Sequence, residues 1–405
     1  MESERKNYSS DEAVEGQSKM VQVGPFVYCG GTTSVNAAGE VAYAGDSYGQ
    51  VRSILEKLIA MISKTGAVKE DVYQVKLYVT SEFEGKEGLR AFREIFGEIK
   101  PIMTCVTVHN MFKEGHLVEI EMNAIKGSSR GETWRGIKLE RTNYSAMAPN
   151  ELKYGYSRMV KIGPFVYIGG TTSVQPDGSV AGVGDACEQN KKVYDKLLGI
   201  MEKAGASIRD IVKIKKYVTE EYFETWEERY AYKIIPREEI VLSRVVVDSL
   251  LRKEQIVETE IFAIVGCGED KLLPEWGEFD FRKKVKIADE EVWASFVQAG
   301  PFLISGTRHS IDSLGALVGA DDSELQESQV LKNLTEGMKY FGYEPKHMVK
   351  LKAYFTDEFE EDYGDTEIPY YEKVYKPVSP LYTGVHVKRV GRKHEIVEME
   401  MLAMK

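Results

Sequence analysis

The chain has few cysteines, no long apolar run and no excess of positive charge, and each absence removes a class of protein. Four cysteines occur in 405 residues, and they form neither a CxxC pair nor a Cys/His metal-ligand pattern. Sparse cysteine fits a reducing compartment, so we predict free thiols and a cytoplasmic location. We expect no membrane partner, because no segment approaches the ~20 apolar residues that a membrane helix needs and the charged N-terminus does not resemble a signal peptide.

Basic residues are outnumbered by acidic ones, which argues against a nucleic-acid partner. Lys and Arg total 53 against 64 Asp and Glu, giving a net charge of −11. Phosphate binding needs concentrated Lys and Arg, so we expect no nucleic acid to bind. The sequence also lacks an HExxH motif, a Walker or dinucleotide glycine fingerprint and a GxSxG elbow. We therefore predict no metal and no cofactor.

What the chain does contain is one stretch of sequence in three copies. The segment GPFVYCGGTTS at 24–34 returns as GPFVYIGGTTS at 163–173, and more loosely as GPFLISGTRHS at 300–310. The spacings of 139 and 137 residues are those of small domains and not of a solenoid. Other segments repeat in the same order, at 4–9 and 140–145, at 72–80, 211–219 and 348–356, and at 117–124, 256–263 and 396–403. We predict three domains, over 1–127, 136–266 and 281–405.

The pattern of the first copy predicts an α+β domain. Alternation and helical spacing give the order ββαβαββ, with a hairpin over 20–29 and further elements over 51–64, 72–80, 89–96, 104–108 and 118–124. The last two strands are expected to form a hairpin that contains Gly115. Two helices would cover one face of a mixed sheet and leave the other face open. We therefore expect three copies to close around one axis as an intramolecular pseudo-trimer, with 127–135 and 266–280 as linkers.

These motifs resemble the RidA/YjgF family, also known as L-PSP endoribonuclease-like proteins, whose chorismate-mutase-like subunits form trimers. The resemblance rests on GPFVY with its glycine corner, a long helix ending in Gly-Ala, the VxxVKxYVT strand and the closing VEIE strand. It extends over all three copies. It implies chorismate-mutase-like domains that hydrolyse reactive enamines or imines to a ketone and ammonia, in clefts between adjacent subunits.

The resemblance also implies two kinds of site residue. A glutamate on the closing strand, which helps to position water, corresponds to Glu119, Glu258 and Glu398. An arginine that binds the substrate carboxylate has no counterpart, since the matching positions hold Met103, Leu242 and Tyr382. A guanidinium makes two charge-assisted hydrogen bonds to a carboxylate, which none of these side chains can replace. We therefore expect a substrate other than the usual imino acid.

Two further candidates lie on the strand that lacks the arginine. Arg244 is two residues beyond Leu242 and on the same face of the strand, so it is a candidate to supply a cation at a different depth. An ion pair or a domain interface is the alternative for Arg244. Cys105 has the same register in the first copy and Gly384 in the third, so the clefts differ chemically. For Cys105, inert packing is the alternative to a role at the site.

Loop and corner residues complete the set of candidates. Arg308 and His309 replace a Thr-Thr pair and are candidates to bind an anion or relay a proton, with a solvated loop tip as the alternative. Tyr156, before the second hairpin, either lies over a cleft or belongs to the core. Two glycine pairs permit close backbone approach and offer N–H donors to an oxyanion, with a tight turn as the alternative. These pairs are Gly30 with Gly31, and Gly169 with Gly170.

A second glutamate follows each candidate glutamate after one intervening residue. These are Glu121, Glu260 and Glu400. Paired carboxyl groups raise one pKa and suit acid–base catalysis, but a salt bridge to a lysine on the neighbouring strand is equally compatible with the spacing. The lysines in question are Lys76, Lys215 and Lys352. We favour salt bridges for this second set.

The sequence therefore predicts a RidA-like hydrolase or deaminase that acts on a C=N or related C–N bond of a small metabolite at interdomain clefts. The chain is expected to be a monomeric pseudo-trimer, with further oligomerisation left open. The alternative is a non-catalytic protein of the same fold that binds a small molecule or acts as a scaffold. RNA cleavage, which the family's older name suggests, is disfavoured by the acidic charge.

Overall fold

The structure is a computed structural model that describes residues 3–9, 17–111, 113–225, 235–269, 282–285, 293–359 and 369–405. The strands are β1 (Arg5–Tyr8), β2 (Met20–Val23), β3 (Phe26–Thr32), β4 (Val72–Val79), β5 (Ile102–Thr107), β6 (Val118–Ile125), β7 (Thr133–Trp134), β8 (Ile137–Lys138), β9 (Arg141–Tyr144), β10 (Met159–Ile162), β11 (Phe165–Thr171), β12 (Ile211–Val218), β13 (Val241–Val246), β14 (Ser249–Leu250), β15 (Val257–Ile264), β16 (Arg282–Val285), β17 (Phe296–Ala299), β18 (Phe302–Ser305), β19 (Met348–Phe355), β20 (Leu381–His386) and β21 (Val397–Met404).

The α-helices are α1 (Ser47–Ser63), α2 (Gly85–Phe96), α3 (Pro149–Tyr154), α4 (Ala186–Lys203), α5 (Glu220–Thr225), α6 (Ser323–Tyr340) and α7 (Pro369–Val374). Short 3-10 helices lie at Lys69–Asp71, Ser128–Arg130, Ile208–Asp210, Arg237–Glu239, Cys267–Glu269, Pro345–His347 and Lys376–Val378. Over the described part of the chain, no helix combines the length and the apolar character needed to cross a membrane.

The three large sheets formed by the described residues share one strand order. It is β1-β2-β3-β6-β4-β5 in the first sheet, β9-β10-β11-β15-β12-β13 in the second and β16-β17-β18-β21-β19-β20 in the third. The short strand β14 extends the edge of the first sheet by pairing with β5. We refer to each sheet with its helices as the first, second or third unit. The architecture is a mixed α+β fold, as predicted.

Two details of the predicted order are wrong. The expected Gly115 hairpin does not form, because β5 pairs in parallel with β4 while β6 lies antiparallel on the other side of β4. The chain therefore crosses over a strand between β5 and β6. Each unit also begins with a strand that the ββαβαββ order omits, namely β1, β9 and β16.

Local sequence explains the first hairpin and the long helix of each unit. The Gly-Pro turns begin at Gly24, Gly163 and Gly300, each with φ +56°. Positive φ favours glycine at the first turn position, and proline at the second has the fixed φ that the turn needs. Helices α1, α4 and α6 each begin after an aspartate whose side chain accepts a hydrogen bond from a backbone N–H three residues on. Their apolar faces then pack on the sheets.

An aromatic cluster joins the three units. The rings of Phe26, Phe165 and Phe302 are all buried, and their centroids lie 5.1–5.7 Å apart in edge-to-face geometry. Each phenylalanine directly follows a Gly-Pro turn, so the repeated GPF segment brings one ring from each unit to the same point. Edge-to-face pairs of this kind add to the stabilisation from apolar burial.

Backbone contacts link the units in cyclic order. Isolated parallel bridges connect Ser157 of the second unit to Ile102 of the first, and Ala294 of the third to Val241 of the second. A third bridge connects Ser18 of the first unit to Leu381 of the third. Each bridge joins the segment before one unit's first hairpin to the edge strand of another unit.

The repeated leader segments also bind a neighbouring unit. Arg5 donates to the carbonyls of Lys346, Met348 and Val378 in the third unit. Arg141, at the matching position, donates to the carbonyls of Glu70, Val72 and Ile99 in the first unit. The leader segments therefore help to hold neighbouring units together. The predicted linker 127–135 lies within the described residues, and the ring centroids of its Trp134 and of Phe26 are 5.2 Å apart. Most of the other predicted linker, 266–280, lies outside the described residues.

Candidate active-site clefts

Three clefts lie where the corner after one unit's first hairpin meets the edge strand of another unit. Cleft I joins the first unit to β20, cleft II joins the second unit to β5, and cleft III joins the third unit to β13. Strand pairing gives Cys105, Arg244 and Gly384 one shared register, since they lie opposite Leu77, Lys216 and Ala353. The predicted equivalence of these three positions is confirmed.

The three candidate glutamates have raised pKa values for the same two reasons, burial and a neighbouring carboxylate. Burial raises the pKa of Glu119 to about 7, of Glu258 to about 8 and of Glu398 to about 7. The second glutamate on the same strand raises each pKa further. A carboxyl group that titrates near neutral pH can both accept and donate a proton, which suits acid–base chemistry.

The glycine corners are packed against these carboxylates. A Cβ added to Gly31 would lie 1.6 Å from Oε1 of Glu119, and one added to Gly170 would lie 1.6 Å from Oε1 of Glu258. Only glycine leaves room for the glutamate at these positions.

The backbone N–H groups of the corners are not free, so the expectation of exposed donors for an oxyanion is wrong. Gly31 and Gly170 donate to the hydroxyl groups of Thr383 and Thr104 on the adjoining units. Gly30 and Gly169 donate to backbone carbonyls within their own units. The glycine corner therefore leaves room for the glutamate, and its hydrogen bonds hold the two units together.

The second glutamates form salt bridges to lysines, as favoured, but to lysines of another unit and not of the neighbouring strand. Lys76 of the first unit pairs with Glu260 of the second at 2.5 Å. Lys213 and Lys215 of the second unit pair with Glu400 of the third at 2.8 and 2.7 Å. Lys350 and Lys352 of the third unit pair with Glu121 of the first at 2.6 and 2.5 Å.

Cleft I is closely packed at its corner. A Cβ added to Gly30 would lie 3.2 Å from Cγ of Leu381, and one added to Gly31 would lie 3.0 Å from Cγ2 of Thr383. The backbone of Ser18 donates to the carbonyl of Pro380, which holds the two units together beside the corner. The side chains of the edge strand thus fill the space beside Glu119.

Cleft II is nearly filled, with a cavity of about 40 Å³. Arg158, which sequence reasoning missed, is one of the side chains that line it. Its guanidinium binds Oε1 of the buried Glu151 at 2.7–2.8 Å and donates to the carbonyl of Gly170. Tyr156 and Cys105 line the same space and are buried, and burial raises the pKa of both, that of Tyr156 to about 12. Cys105 is therefore a protonated thiol at neutral pH.

Cleft III has a cavity of about 280 Å³ and brings together four of the predicted residues: Arg244, Arg308, His309 and Glu398. Arg244 reaches the cleft from β13 of the second unit, with its guanidinium carbon 5.3 Å from the ring centre of Phe223. It is the exposed residue of an otherwise largely buried strand. The other three residues come from the third unit. The cleft therefore depends on both units.

A glutamate that the sequence analysis did not identify orients His309. Nδ1 of His309 lies 3.0 Å from Oε2 of Glu395, whose side chain is fully buried, and 3.6 Å from Oε2 of Glu398. Burial alone would lower the pKa of His309, but the hydrogen bond and charge of Glu395, with the charge of Glu398, outweigh burial and raise it. His309 is thus held as an imidazolium more readily than a free histidine.

A difference between the three copies could have identified Glu395 from the sequence. The segment before the closing glutamate is His116-Leu-Val in the first copy, Gln255-Ile-Val in the second and Glu395-Ile-Val in the third. In the second unit, Gln255 donates to the hydroxyl of Thr172, which matches His309 in position. The third copy therefore replaces a neutral Gln–Thr pair with a Glu–His pair.

The same residues offer a set of metal-ligand atoms. Single atoms of His309, Glu395 and Glu398 lie within 4.8 Å of one another, and histidine nitrogen with carboxylate oxygen suits several divalent metals. Two guanidinium groups, those of Arg244 and Arg308, line the same cleft and oppose a cation there. The cleft is better suited to an anionic ligand.

The sequence matches a family of known proteins. The family model described as endoribonuclease L-PSP matches residues 9–126 and 147–265. A RutC family protein of Pyrococcus abyssi is 30% identical over 110 residues, which are 26% of this chain and 87% of that protein. A second RutC family protein, from Pyrococcus horikoshii, is 28% identical over 27% of this chain and 86% of its own length.

Two solved structures are similar to parts of the chain. A member of the YjgF/YER057c/UK114 family from Mycobacterium tuberculosis is 30% identical over 31% of this chain and all of its own, with a TM-score of 0.26. A chorismatase structure is 14% identical over 62% of this chain and 79% of its own, with a TM-score of 0.39. With the family model matching more than half of its residues, the chain belongs to the endoribonuclease L-PSP family, the RidA/YjgF group, and contains tandem copies of its domain.

Proposed function

We propose that the protein hydrolyses a C=N or related C–N bond of a small anionic metabolite in cleft III. The observation that supports this best is the meeting of Arg244 with Arg308, His309 and Glu398 in one cavity of about 280 Å³. This set supplies cationic groups for an anionic substrate and two proton-transfer groups within 3.6 Å of each other. Clefts I and II do not combine these features.

We further propose that the chain is an intramolecular pseudo-trimer of three family domains, over 1–127, 136–266 and 281–405. The shared strand order, the cyclic bridges and the shared phenylalanine cluster support this arrangement. In such an assembly each cleft takes residues from two domains. The three clefts then diverge independently, and one retains or acquires activity.

Arg244 takes the part of the arginine that the family places two residues earlier on the strand. Leu242 occupies that earlier position in cleft III, and Arg244 follows on the same face. A guanidinium at this site binds a carboxylate or another planar anion through paired hydrogen bonds. The shift along β13 places the cation at a different depth from that in the family, which favours a substrate other than the usual imino acid.

Glu398 and His309 share the proton transfers. As ionised Glu398 takes a proton from water, the water oxygen bonds to the imine carbon, and the imidazolium of His309 gives a proton to the nitrogen. The product is a carbinolamine. Protonated Glu398 then gives its proton to the nitrogen, neutral His309 takes the hydroxyl proton, and the C–N bond breaks to give a carbonyl compound and ammonia, which restores both side chains. Glu395 positions His309 by holding Nδ1, so the proton exchanged with the substrate is on Nε2.

The test is ammonia release from small imines, amides and amidines, with each closing-strand glutamate replaced in turn by glutamine. We expect Glu398→Gln to lower kcat by about 100-fold or more, the usual effect of removing a general acid or base. Glu119→Gln and Glu258→Gln are the matched controls and should stay within about twofold of wild type. Unchanged turnover in all three variants would refute the assignment.

A second pair of variants tests the role of His309 in this reaction. His309→Thr and Glu395→Gln each introduce the residue that the second unit has at the matching position, so both should fold. We expect His309→Thr to lower kcat and to remove the alkaline limb of the kcat profile against pH. Glu395→Gln should lower kcat and move that limb to lower pH, because the hydrogen bond and charge of Glu395 raise the pKa of His309. Ligand-induced thermal stabilisation without turnover in wild type would instead favour the alternative of a non-catalytic binding protein.

A further inference from the structure

A charged chamber lies between the three units, apart from the clefts. Its volume is about 160 Å³, roughly ten times what one water needs. On one side it is bounded by Phe302 of the aromatic cluster, with Tyr28 and Tyr167 nearby. Among the described residues, five lysines and three glutamates line it: Lys76, Lys213, Lys215, Lys350, Lys352, Glu121, Glu260 and Glu400.

These charged groups are buried and do not balance. None of the eight side chains is more than 16% exposed. Glu121 and Glu400 each bind two ammonium groups, whereas Glu260 binds Lys76 and accepts from the hydroxyl of Thr104. Five ammonium groups face three carboxylates, so the fully charged chamber has two positive charges in excess.

An excess of buried positive charge is costly in a region of low dielectric constant. The chamber can reduce this cost by losing protons from lysines or by binding an anion. Burial lowers the pKa of Lys215 to about 8 and places that of Lys352 well below its usual value, with the other lysines lowering both further. Burial is thus the main cause of the lowered pKa values, and positive charge that the three carboxylates do not match adds to it.

We propose that the chamber binds one small divalent oxyanion of the size of phosphate or sulfate. A dianion neutralises the two excess charges, and its oxygens accept charge-assisted hydrogen bonds from ammonium groups of different units. The volume is large enough for one tetrahedral oxyanion. The ligand would tie the three units together from inside, and its binding does not depend on the proposed hydrolysis.

The copies differ at one layer of the chamber, which provides a matched test. Lys213 and Lys350 correspond in register to Gln74 of the first unit, because each begins the pairing of its central strand with the parallel edge strand. Lys213→Gln and Lys350→Gln therefore place in the second or third unit the glutamine that the first unit already has at this position. Each removes one of the two excess charges. Lys86→Gln, on the exposed surface, is the control for a general change in charge.

The experiment is calorimetric titration of the full chain with sulfate and with phosphate, at constant ionic strength set with chloride. We expect one site per chain, and at least about tenfold weaker binding in Lys213→Gln and in Lys350→Gln, since each loses a charge-assisted contact. Lys86→Gln and the cleft variant Arg244→Met should bind as wild type does. The rise in melting temperature on adding sulfate should be larger in wild type than in either chamber variant, because general stabilisation by sulfate acts on all of them alike.

Four results would overturn the proposal. Absence of sulfate and phosphate binding in wild type would mean that the lysines lose protons instead. Equal affinity in the wild type and both chamber variants would place the anion elsewhere. Equal stabilisation of wild type and both chamber variants by sulfate would show that a general salt effect, and not a dianion site, is responsible. Loss of sulfate binding in Arg244→Met would likewise assign the anion to cleft III, which this guanidinium lines.

Discussion

Replacing Glu258 with glutamine should make the stability of the protein less dependent on pH. Burial and the neighbouring Glu260 raise the pKa of Glu258 to about 8, against 4.5 for an exposed glutamate. Between these values the unfolded chain releases the proton and the folded chain keeps it, so the unfolding free energy falls as pH rises. Below pH 4.5 both states are protonated and the contribution is constant.

The size of the effect follows from the two pKa values. Each pH unit inside the window lowers the unfolding free energy by about 1.4 kcal/mol, so ionisation of Glu258 in the unfolded chain removes about 3 kcal/mol of stability between pH 5 and pH 7.5. Glutamine does not titrate. The unfolding free energy of Glu258→Gln, measured relative to wild type, should therefore increase by about 3 kcal/mol over the same range.

Urea denaturation at pH 5, 6, 7 and 7.5 measures this difference. The quantity of interest is the change in the difference between variant and wild type, because any constant effect of the amide cancels. Glu202→Gln, on the exposed side of α4, is the control and should show a change below about 0.5 kcal/mol. A difference for Glu258→Gln that stays constant with pH would show that this carboxyl group ionises normally and would refute the reasoning.

Other substitutions test the packing. Gly170→Ala should cost about 1–3 kcal/mol because its Cβ would overlap a carboxylate, whereas Gly199→Ala, exposed inside α4, should stabilise by about 0.5–1 kcal/mol; urea denaturation of both distinguishes the sites. Arg158→Met should cost about 3–5 kcal/mol by leaving its buried glutamate partner without a cation; a loss below 1 kcal/mol would contradict this. Phe302→Ala should cost about 3–5 kcal/mol in urea denaturation. Hydrogen exchange should be faster in all three units, and a change confined to one unit would contradict the role of Phe302 in joining them.

Local patterns in the sequence were enough for the elements that depend on local interactions. The hairpin at Gly24-Pro25, helix α1 and strand β4 all lie within a few residues of the predicted bounds. The expected Gly115 hairpin fails because β4, which is distant in sequence, inserts between β5 and β6. The leader strands were missed because contacts to another unit stabilise them, as Arg141 shows.

For the candidate sites, sequence reasoning was better at naming residues than at finding their partners. Arg244 and His309 were identified, since each breaks the agreement between copies. Glu395, which binds His309, was not identified because the pair is 86 residues apart in sequence. The lysine partners of the second glutamates were correct in kind, but they belong to a different unit, which only the packing of the three sheets determines.

The salt bridges between units have a direction, from first to second, second to third, and third back to first, and this direction has a consequence for biosynthesis. The contact that completes the circuit joins Lys350 to Glu121, which are 229 residues apart. A ribosome exposes Glu121 long before it makes Lys350. In the nascent first unit the carboxylate of Glu121 has no lysine partner until the third unit is made. The amino-terminal two-thirds of the chain should therefore depend on chaperones until synthesis ends.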